Sequence, residues 1–360
     1  PITVKVFTVD AIVNEFNSGS IDPSAIRDFV KYAYDNWQVT PKYVFIWGDG
    51  DYDYKNIEGK SKNMVPTFQS RDFLYEINSF STDDFYVWVS GNDKRIDLGL
   101  GRIAAQNTKQ ANDYLDKVIA YEKSTDKSSW KNLITLVADD HLTSQGIDLA
   151  GNTMQSERLS QSRIPPEYEQ KKVYLINYPT VQTSLGRRKP EVNAAIVNAI
   201  NEGTVLLNYI GHGSPELWAH EQVFVRSSTI PQLKNSRYFF LTAATCDFGY
   251  YDKTEVQSAT EDLLFLPGAG AIGVYTAVRP VFSEQNTILN DSLYHQMLKW
   301  GRDTENLPKR MGTAYLLTKV NFLTENDQKF QLFSDPALRL MLPQYYGKID
   351  SINGADPAIT

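Results

Sequence analysis

Three nearly continuous apolar runs in the second half of the chain constrain its fold more than any other feature. They are TVLLNYIGHG (204–213), YFFLTAATC (238–246) and AGAIGVYTAV (269–278). Strands that are apolar on both faces need a cover on both faces, which is typical of a mostly parallel sheet between helices. An amphipathic stretch at 191–203 ends in glycine and predicts one of those helices. The sequence therefore predicts an α/β fold.

The first third of the chain has the same alternation. Strands are predicted for VKVFTVD (4–10), KYVFIWGDG (42–50) and RIDLGLGRI (95–103). Helices are predicted for residues 23–37 and 108–124, where apolar side chains recur at helical spacing. This part of the chain therefore predicts a second α/β unit.

A polar stretch, TDKSSWKN (125–132), separates the two units. We expect two subdomains with helices on both faces of their sheets: an N-terminal α/β subdomain over 1–127 and a catalytic subdomain over 128–345. A C-terminal extension is expected over 346–360. A chain of 360 residues is long for one domain and has ample length for two.

Composition argues against several classes of function. The net charge is −7 and the basic residues are scattered, so we expect no nucleic-acid partner. The longest apolar runs have the length of strands and fall short of the roughly 20 residues of a membrane-spanning helix. The chain begins with Pro and shows no basic-then-apolar signal segment, which indicates a mature piece or a domain of a longer product.

Reactive or polar residues follow three of the predicted strands. These are Asp139 and Asp140 after NLITLVADD (132–140), His212, and Cys246. In open parallel sheets, the working site lies outside the carboxyl ends of the strands. The coincidence of these residues at strand ends predicts a catalytic site there.

Cys246 is the single cysteine, so the chain forms no internal disulfide. One interpretation is a small buried hydrophobic residue. However, the thiol stands at the end of a predicted strand, and the Asp-Phe-Gly after it is typical of a loop. A thiol at that position faces a cleft, where neighbouring charges or backbone dipoles can favour the thiolate. Its position therefore favours a nucleophile.

His212 lies between two glycines in YIGHGS. Such a histidine receives little packing from its neighbours, and glycines let the backbone approach a ligand closely. The amide of Gly213, together with that of Cys246, could bind an oxyanion. The alternative is a glycine-rich turn with an incidental histidine. The other histidines have weaker contexts: His141, His220 and His295.

Asp139 and Asp140 are adjacent, and adjacent strand residues point to opposite faces, so only one can face a given site. A carboxylate near His212 would orient the imidazole and favour its protonated form. The alternative is a pair of solvated acids at a strand end. The residues by themselves leave the choice open.

No cofactor is expected. The sequence has no CxxC or HExxH pattern, which argues against zinc. DGDYD (49–53) imitates a calcium loop, but Tyr54 replaces the glycine of the sixth position and Lys60 the glutamate of the twelfth. Calcium held by fewer of these acids stays open as an alternative.

A histidine-glycine strand end followed by a cysteine strand end resembles the caspase-like cysteine peptidases, and more closely the gingipain family. NYIGHGSPELWA (208–219) is similar to the histidine motif of that family, and TAATCDFGYYD (242–252) to its nucleophile strand. LFSDPALRL (332–340) resembles its C-terminal Gly-Asp-Pro-Ala-Leu signature, with Ser334 in place of the glycine.

Two further blocks, SATEDLL (258–264) and GAGAIGVYTAVRPVFSEQN (268–286), are most similar to the sortase of type IX secretion within that family. The resemblance covers nearly the whole chain. It implies a caspase-like α/β fold with two subdomains.

The resemblance also implies roles for individual residues. Cys246 would be the nucleophile and His212 its acid–base partner. The family carries an acidic residue after a small residue at the end of the strand that matches NLITLVADD (132–140). Since Ala138 precedes Asp139, the resemblance favours Asp139 as the acid.

The implied function is that of a cysteine peptidase or transpeptidase that forms a thioacyl enzyme. By the same resemblance, its substrates would be exported proteins with C-terminal sorting domains. Its partners would be components of an outer-membrane attachment complex, at the surface of a bacterial cell. Two alternatives remain: a secreted gingipain-like endopeptidase with a defined side-chain preference, and a non-catalytic α/β binding module.

Overall fold

The computed structural model of this chain describes residues 2–70, 72, 74–140, 147, 149, 151–299, 302–321 and 324–343. His141 and the expected extension at 346–360 lie outside the described residues.

The helices are α1 (Val9–Asn17), α2 (Pro23–Asn36), α3 (Thr108–Lys123), α4 (Gly151–Ser162), α5 (Pro190–Glu202), α6 (Arg226–Thr229), α7 (Ala259–Phe265), α8 (Ser283–Tyr294), α9 (Met311–Lys319) and α10 (Glu325–Lys329). The strands are β1 (Tyr43–Trp47), β2 (Gly99–Ile103), β3 (Leu133–Ala138), β4 (Glu169–Tyr174), β5 (Val181–Thr183), β6 (Gly186–Arg188), β7 (Leu206–Ile210), β8 (Leu217–Trp218), β9 (Phe224–Val225), β10 (Phe239–Ala244), β11 (Ala271–Ala277) and β12 (Phe330–Phe333).

The main sheet has six strands in the order β12-β11-β10-β7-β3-β4. Neighbouring strands from β11 to β4 are parallel, and β12 runs antiparallel to β11 at the edge. Every residue of β7, β10 and β11 is buried, as their continuous apolar sequences require. The predicted mostly parallel α/β fold is confirmed.

Helices cover the main sheet in two groups. α4 and α8 contact each other and the strands β3, β7 and β10, whereas α3 and α7 contact each other and β11. Two of these helices connect parallel neighbours, α4 between β3 and β4 and α7 between β10 and β11, because the chain must return to the same end of the sheet before each new parallel strand begins. Within the described residues, no helix combines the length and apolar character needed to cross a membrane.

Local signals set the ends of several helices. α2 begins at Pro23, and the side chain of Asp22 accepts the N–H of Ser24 (2.8 Å) as an N-terminal cap. α5 also begins with proline, at Pro190, and ends before Gly203, whose φ of 109° is easily reached only by glycine. Both helices were predicted from the sequence.

A second, two-stranded parallel sheet pairs β1 with β2 and packs against the main sheet. Gly101 of β2 makes this packing possible, because a Cβ atom there would stand 2.2 Å from the backbone oxygen of Ser334. The Lys319 ammonium at the end of α9 forms a buried salt bridge with Asp84 from the first part of the chain. The boundary between residues 127 and 128 stays a prediction.

The strand expected at residues 4–10 is absent from the structure, so that prediction is wrong. Residues 4–8 form no strand, and α1 begins at Val9 after Thr8, whose hydroxyl accepts the N–H of Ala11. The apolar alternation at 4–8 finds no sheet partner among the described residues, and Val4 and Val6 are 73% and 87% exposed.

Candidate active site

The register of the main sheet brings the candidate site residues together at the carboxyl ends of neighbouring strands. Ile210, the last residue of β7, pairs with Ala244 of β10 on one side and with Ala138 of β3 on the other. His212 and Cys246 therefore each lie two residues beyond a matched pair on adjacent parallel strands, which run about 4.8 Å apart. Asp139 follows directly after the third strand.

The backbone of His212 is held on both sides. Its N–H donates to Asp139 Oδ2 (3.0 Å), and its carbonyl accepts from the Tyr209 hydroxyl (2.6 Å) and the Ala219 N–H (2.9 Å). Gly211 is required by the close approach of Asp139, since a Cβ atom at Gly211 would stand 2.3 Å from the Asp139 Cβ. The histidine loop is thus fixed by groups that are themselves buried.

Gly213 brings the histidine loop against the cysteine strand. A Cβ atom at Gly213 would stand 2.4 Å from the Thr245 Oγ1, directly before Cys246. Gly213 also faces Trp218 in a short antiparallel pairing. The hydrogen bonds of this pairing are made by the residues directly before and after Gly213, and not by Gly213 itself. The Gly213 N–H consequently points away from that pairing, as a donor to a developing oxyanion would have to.

The Cys246 thiol is half-buried next to the backbone after β11. Its sulfur accepts the Val281 N–H (3.5 Å) and lies 3.7 Å from the Val281 carbonyl oxygen. Burial raises the pKa of the Cys246 thiol, and the charge of Asp247 acts in the same direction, whereas the Val281 backbone and Lys329 lower it. The resting group at neutral pH is therefore the thiol, and its proton has to leave when the sulfur attacks.

The chain turns sharply directly after Cys246. Asp247 has a φ of 56°, a left-handed conformation that aspartate tolerates better than most side chains, and its N–H donates to the Arg279 carbonyl (3.4 Å). Arg279 in turn makes a buried two-pronged salt bridge with Asp252 (2.7 Å for both bonds). The last aspartate of TCDFGYYD thus anchors the loop of the nucleophile.

The adjacent acids point to different partners. Asp139 accepts the His212 N–H, whereas Asp140 forms a buried salt bridge with Lys189 (3.2 Å). Burial raises the pKa of the Asp139 carboxyl, and the His212 N–H is the largest influence that lowers it. The geometry therefore supports Asp139 as the acid on the histidine side, and its catalytic role stays a prediction.

Carboxylate oxygens of Asp139, Asp140 and Glu221 lie within 4.8 Å of one another, as a metal site would require. Two cations already face this cluster, since Glu221 pairs with Arg187 (3.0 Å) and Asp140 with Lys189. We therefore interpret the cluster as a network of side chains in which two cations offset most of the charge of three carboxyl groups.

In the DGDYD loop (49–53), the carboxylates of Asp51 and Asp53 accept backbone N–H groups of the loop itself. Asp51 accepts the Lys62 N–H (2.9 Å), and Asp53 accepts the N–H groups of Ile57 (2.8 Å) and Glu58 (2.7 Å).

Sequence reasoning did not find the Val281 backbone or Lys329. Neither position carries a local signal, because Val281 meets the sulfur from the loop after β11 and Lys329 meets the Pro280 carbonyl from the residue before β12. His220, which has a weaker context in the sequence, lies beside the site: its ring centroid is 5.1 Å from that of His212.

Comparison with known families decides where the chain belongs. The model of Peptidase family C25 matches residues 1–341. The chain is a member of this family.

Curated relatives agree with this assignment. Gingipain R2 of Porphyromonas gingivalis is 24% identical over 243 residues, which is 66% of this chain and 28% of that protein. Gingipain R1 of the same species is 24% identical over 225 residues, which is 62% of this chain and 19% of that protein. The chain thus spans between about a tenth and little more than a quarter of the length of the curated relatives that it matches.

Solved structures have the same fold. The crystal structure of the Arg-specific cysteine proteinase gingipain R superposes with a TM-score of 0.67 at 18% identity, over 91% of this chain and 70% of that one. The complex of the pro- and mature domains of RgpB from Porphyromonas gingivalis gives 0.68 at 19% identity, over 91% and 72%. At this identity, the likeness shows the fold, which is the caspase-like α/β architecture of gingipain.

Proposed function

We propose that this chain is the catalytic domain of a cysteine peptidase that transfers its thioacyl intermediate to an amine, as a sortase does. The observation that supports catalysis is the register of β7 and β10, which sets the glycine-flanked His212 and the only thiol, Cys246, at matched positions. Cysteine peptidases need this pairing, because the thiol must lose a proton and the leaving amine must gain one.

In the first half of the reaction, the Cys246 sulfur attacks the carbonyl carbon of the scissile peptide bond. The thiol proton passes to His212, and the carbonyl oxygen becomes an oxyanion. The N–H groups of Gly213 and Cys246 stabilise that oxyanion. When the C–N bond breaks, His212 gives its proton to the leaving amine, and a thioester remains on Cys246.

In the second half, a nucleophile attacks the thioester. Water gives hydrolysis, whereas an amine gives a new peptide bond, and in both cases His212 removes the proton of the nucleophile while the thiol is restored. Asp139 accepts the backbone N–H of His212 and so fixes the position from which the imidazole side chain extends.

The sortase part of the proposal rests on the blocks at 258–264 and 268–286, which resemble PorU, the sortase of type IX secretion. On that reading, the substrates are exported proteins that carry a C-terminal sorting domain. The partners are components of an outer-membrane attachment complex at the bacterial cell surface.

One experiment tests both halves of the reaction. A protein with a C-terminal sorting domain is incubated with the chain, with and without a small primary amine, and the products are identified by mass spectrometry. We expect loss of the sorting domain and addition of the amine to the new C-terminus, with neither product from Cys246→Ala. Cleavage that never incorporates the amine would reject the sortase part and keep the peptidase part.

A gingipain-like endopeptidase is the second candidate, and the similarity to gingipains R1 and R2 favours it. Such an enzyme would cleave unrelated proteins at a defined side chain. Incubation of the isolated chain with a mixture of denatured proteins would reveal a common residue before each cut.

A further inference from the structure

Lys329 is a buried lysine that the proposed reaction does not use. It is the last residue of α10, and its side chain is almost fully buried (1% exposed). Its ammonium donates to the Pro280 carbonyl oxygen (2.9 Å), and its own carbonyl accepts the Val278 N–H (3.0 Å). Lys329 is thus fixed against the segment that follows β11.

The oxygen that Lys329 holds belongs to the same peptide group as the N–H that reaches the nucleophile. The Pro280 carbonyl and the Val281 N–H are two ends of one planar unit, and the Val281 N–H donates to the Cys246 sulfur (3.5 Å). A cation on the oxygen fixes the plane of the peptide and polarises the N–H, which strengthens the hydrogen bond that this N–H donates.

We propose that Lys329 is a positioning residue for the nucleophile: its ammonium aims the 280–281 peptide at the Cys246 sulfur and so favours the thiolate during attack. The inference rests on the proposed role of Cys246. It adds a residue more than eighty positions away in sequence, which reaches the site only through the antiparallel pairing of β12 with β11.

The charges around both groups agree with this role. Lys329 is faced by Glu325 on its own helix and by Asp247 and Arg279 across from it, and burial lowers its pKa. Around Cys246, the Lys329 charge opposes that of Asp247.

A purely structural role would be served better by an apolar side chain. Within the described residues, no carboxylate lies within salt-bridge distance of Lys329. Glu325 and Asp247 act on its charge from farther away, and burying an ammonium without a direct ion pair costs free energy. Its ring contact with Phe80, 5.6 Å from the ammonium to the centroid, is a packing contact that methionine could replace.

The test uses the single cysteine as its own probe. Iodoacetamide alkylation of the whole chain is followed by intact mass from pH 6 to 10 for the wild type, Lys329→Met and Lys329→Arg. We expect Lys329→Met to slow alkylation at pH 7 about tenfold, because raising a thiol pKa by one unit leaves a tenth of the thiolate. Lys329→Arg keeps a charged donor and should stay within about threefold of the wild type.

Lys117→Met is the matched control. Lys117 is also a buried lysine that donates only to carbonyls, those of Leu263, Ala269 and Ala271, far along the sheet from the thiol. Its alkylation profile should equal that of the wild type. If Lys329→Met does not fold, Lys329→Gln takes its place, with folding checked by thermal unfolding.

A folded Lys329→Met with the wild-type profile overturns the inference, as does an equal shift in Lys117→Met. Failure of the proposed function would look different: the wild-type chain would be alkylated at Cys246 but would cleave no peptide. With a substrate in hand, Lys329→Met should lower kcat and leave KM nearly unchanged, which a general loss of packing would not do.

Discussion

Two strand ends of this molecule carry a buried aspartate, and only one of them lies in a candidate active site. Asp49 follows β1 of the two-stranded sheet, and Asp139 follows β3 of the main sheet. Both are almost fully buried, at 2% and 1% exposed, and burial raises the pKa of both carboxyls, that of Asp49 to about 7.

The difference lies in what each acid binds. Asp49 accepts from the Gln106 side chain (2.8 Å), and its neighbours hold the amides of their own loop. Asp139 accepts the backbone N–H of His212, and His212 and Cys246 follow the carboxyl ends of two adjacent strands. An acid with a shifted pKa at a strand end is therefore not sufficient for a site, because its chemistry depends on the residues that the sheet brings beside it.

The largest effect should come from Cys246→Ala. Removing the sulfur removes the atom that forms the thioester, so product formation should cease. Thermal unfolding should stay within a few degrees of the wild type, because the thiol is only half-buried. The measurement is product by mass spectrometry beside a thermal melt. Residual peptide cleavage would show that another residue is the nucleophile, and the strand end that carries Asp139 would then no longer differ in function from the one that carries Asp49.

His212→Ala should have the next largest effect. Loss of the acid–base group should lower kcat by about 10²–10⁴-fold, since that is the range that a positioned proton donor contributes. The variant keeps the backbone N–H that Asp139 binds, so its stability should change little. Steady-state kinetics decides. A near-normal rate removes His212 from the mechanism.

Asp139→Asn and Asp140→Asn separate the two neighbouring acids. Asp139→Asn should reduce kcat/KM about ten- to a hundredfold, because the loop of His212 loses a charged acceptor. Asp140→Asn breaks the buried salt bridge with Lys189 and should lower the free energy of unfolding by about 3 kcal/mol, with kcat/KM of the folded protein nearly unchanged. Kinetics and urea unfolding give both numbers. A loss of kcat/KM in Asp140→Asn and a loss of stability alone in Asp139→Asn would assign the catalytic role to Asp140.

Asp49→Asn should have the smallest effect on activity, and should mainly change stability. The folded state raises the pKa of Asp49 from 3.8 to about 7, so this carboxyl stabilises the fold below about pH 4 and the contribution is lost as the pH rises through 7. An amide cannot ionise. A shift of about three pKa units corresponds to about 4 kcal/mol, so the variant should gain stability of that order over the wild type between pH 4 and pH 8. Urea unfolding at both pH values is the check, and equal pH dependence would show that Asp49 titrates normally. Its kcat/KM should match the wild type.

Several features were predictable from the sequence. The apolar runs identified β7, β10 and β11, and the residue types after them identified the candidates Cys246 and His212. Prolines and a terminal glycine located α2 and α5. These signals are local, since burial on both faces of a strand and the caps of a helix are written in consecutive residues.

Other features could not be predicted in this way. The alternation at residues 4–8 is typical of a strand, yet no partner strand meets it among the described residues. The partner of each neighbouring acid also had no sequence signal. The His212 N–H reaches Asp139 because β7 lies beside β3, and Lys189, held by carbonyls that follow β4, reaches Asp140 on the other side of β3.

By itself, the sequence determined the alternation of strands and helices and the residue types at the strand ends, because apolar periodicity and capping act over a few neighbouring positions. Only the tertiary structure decided which groups meet there. Strand order and register bring Asp139 to the backbone N–H of His212, the Val281 N–H to the Cys246 sulfur and the Lys329 ammonium to the Pro280 carbonyl. Such contacts join residues far apart in the chain, and their geometry exists only once the sheet has formed.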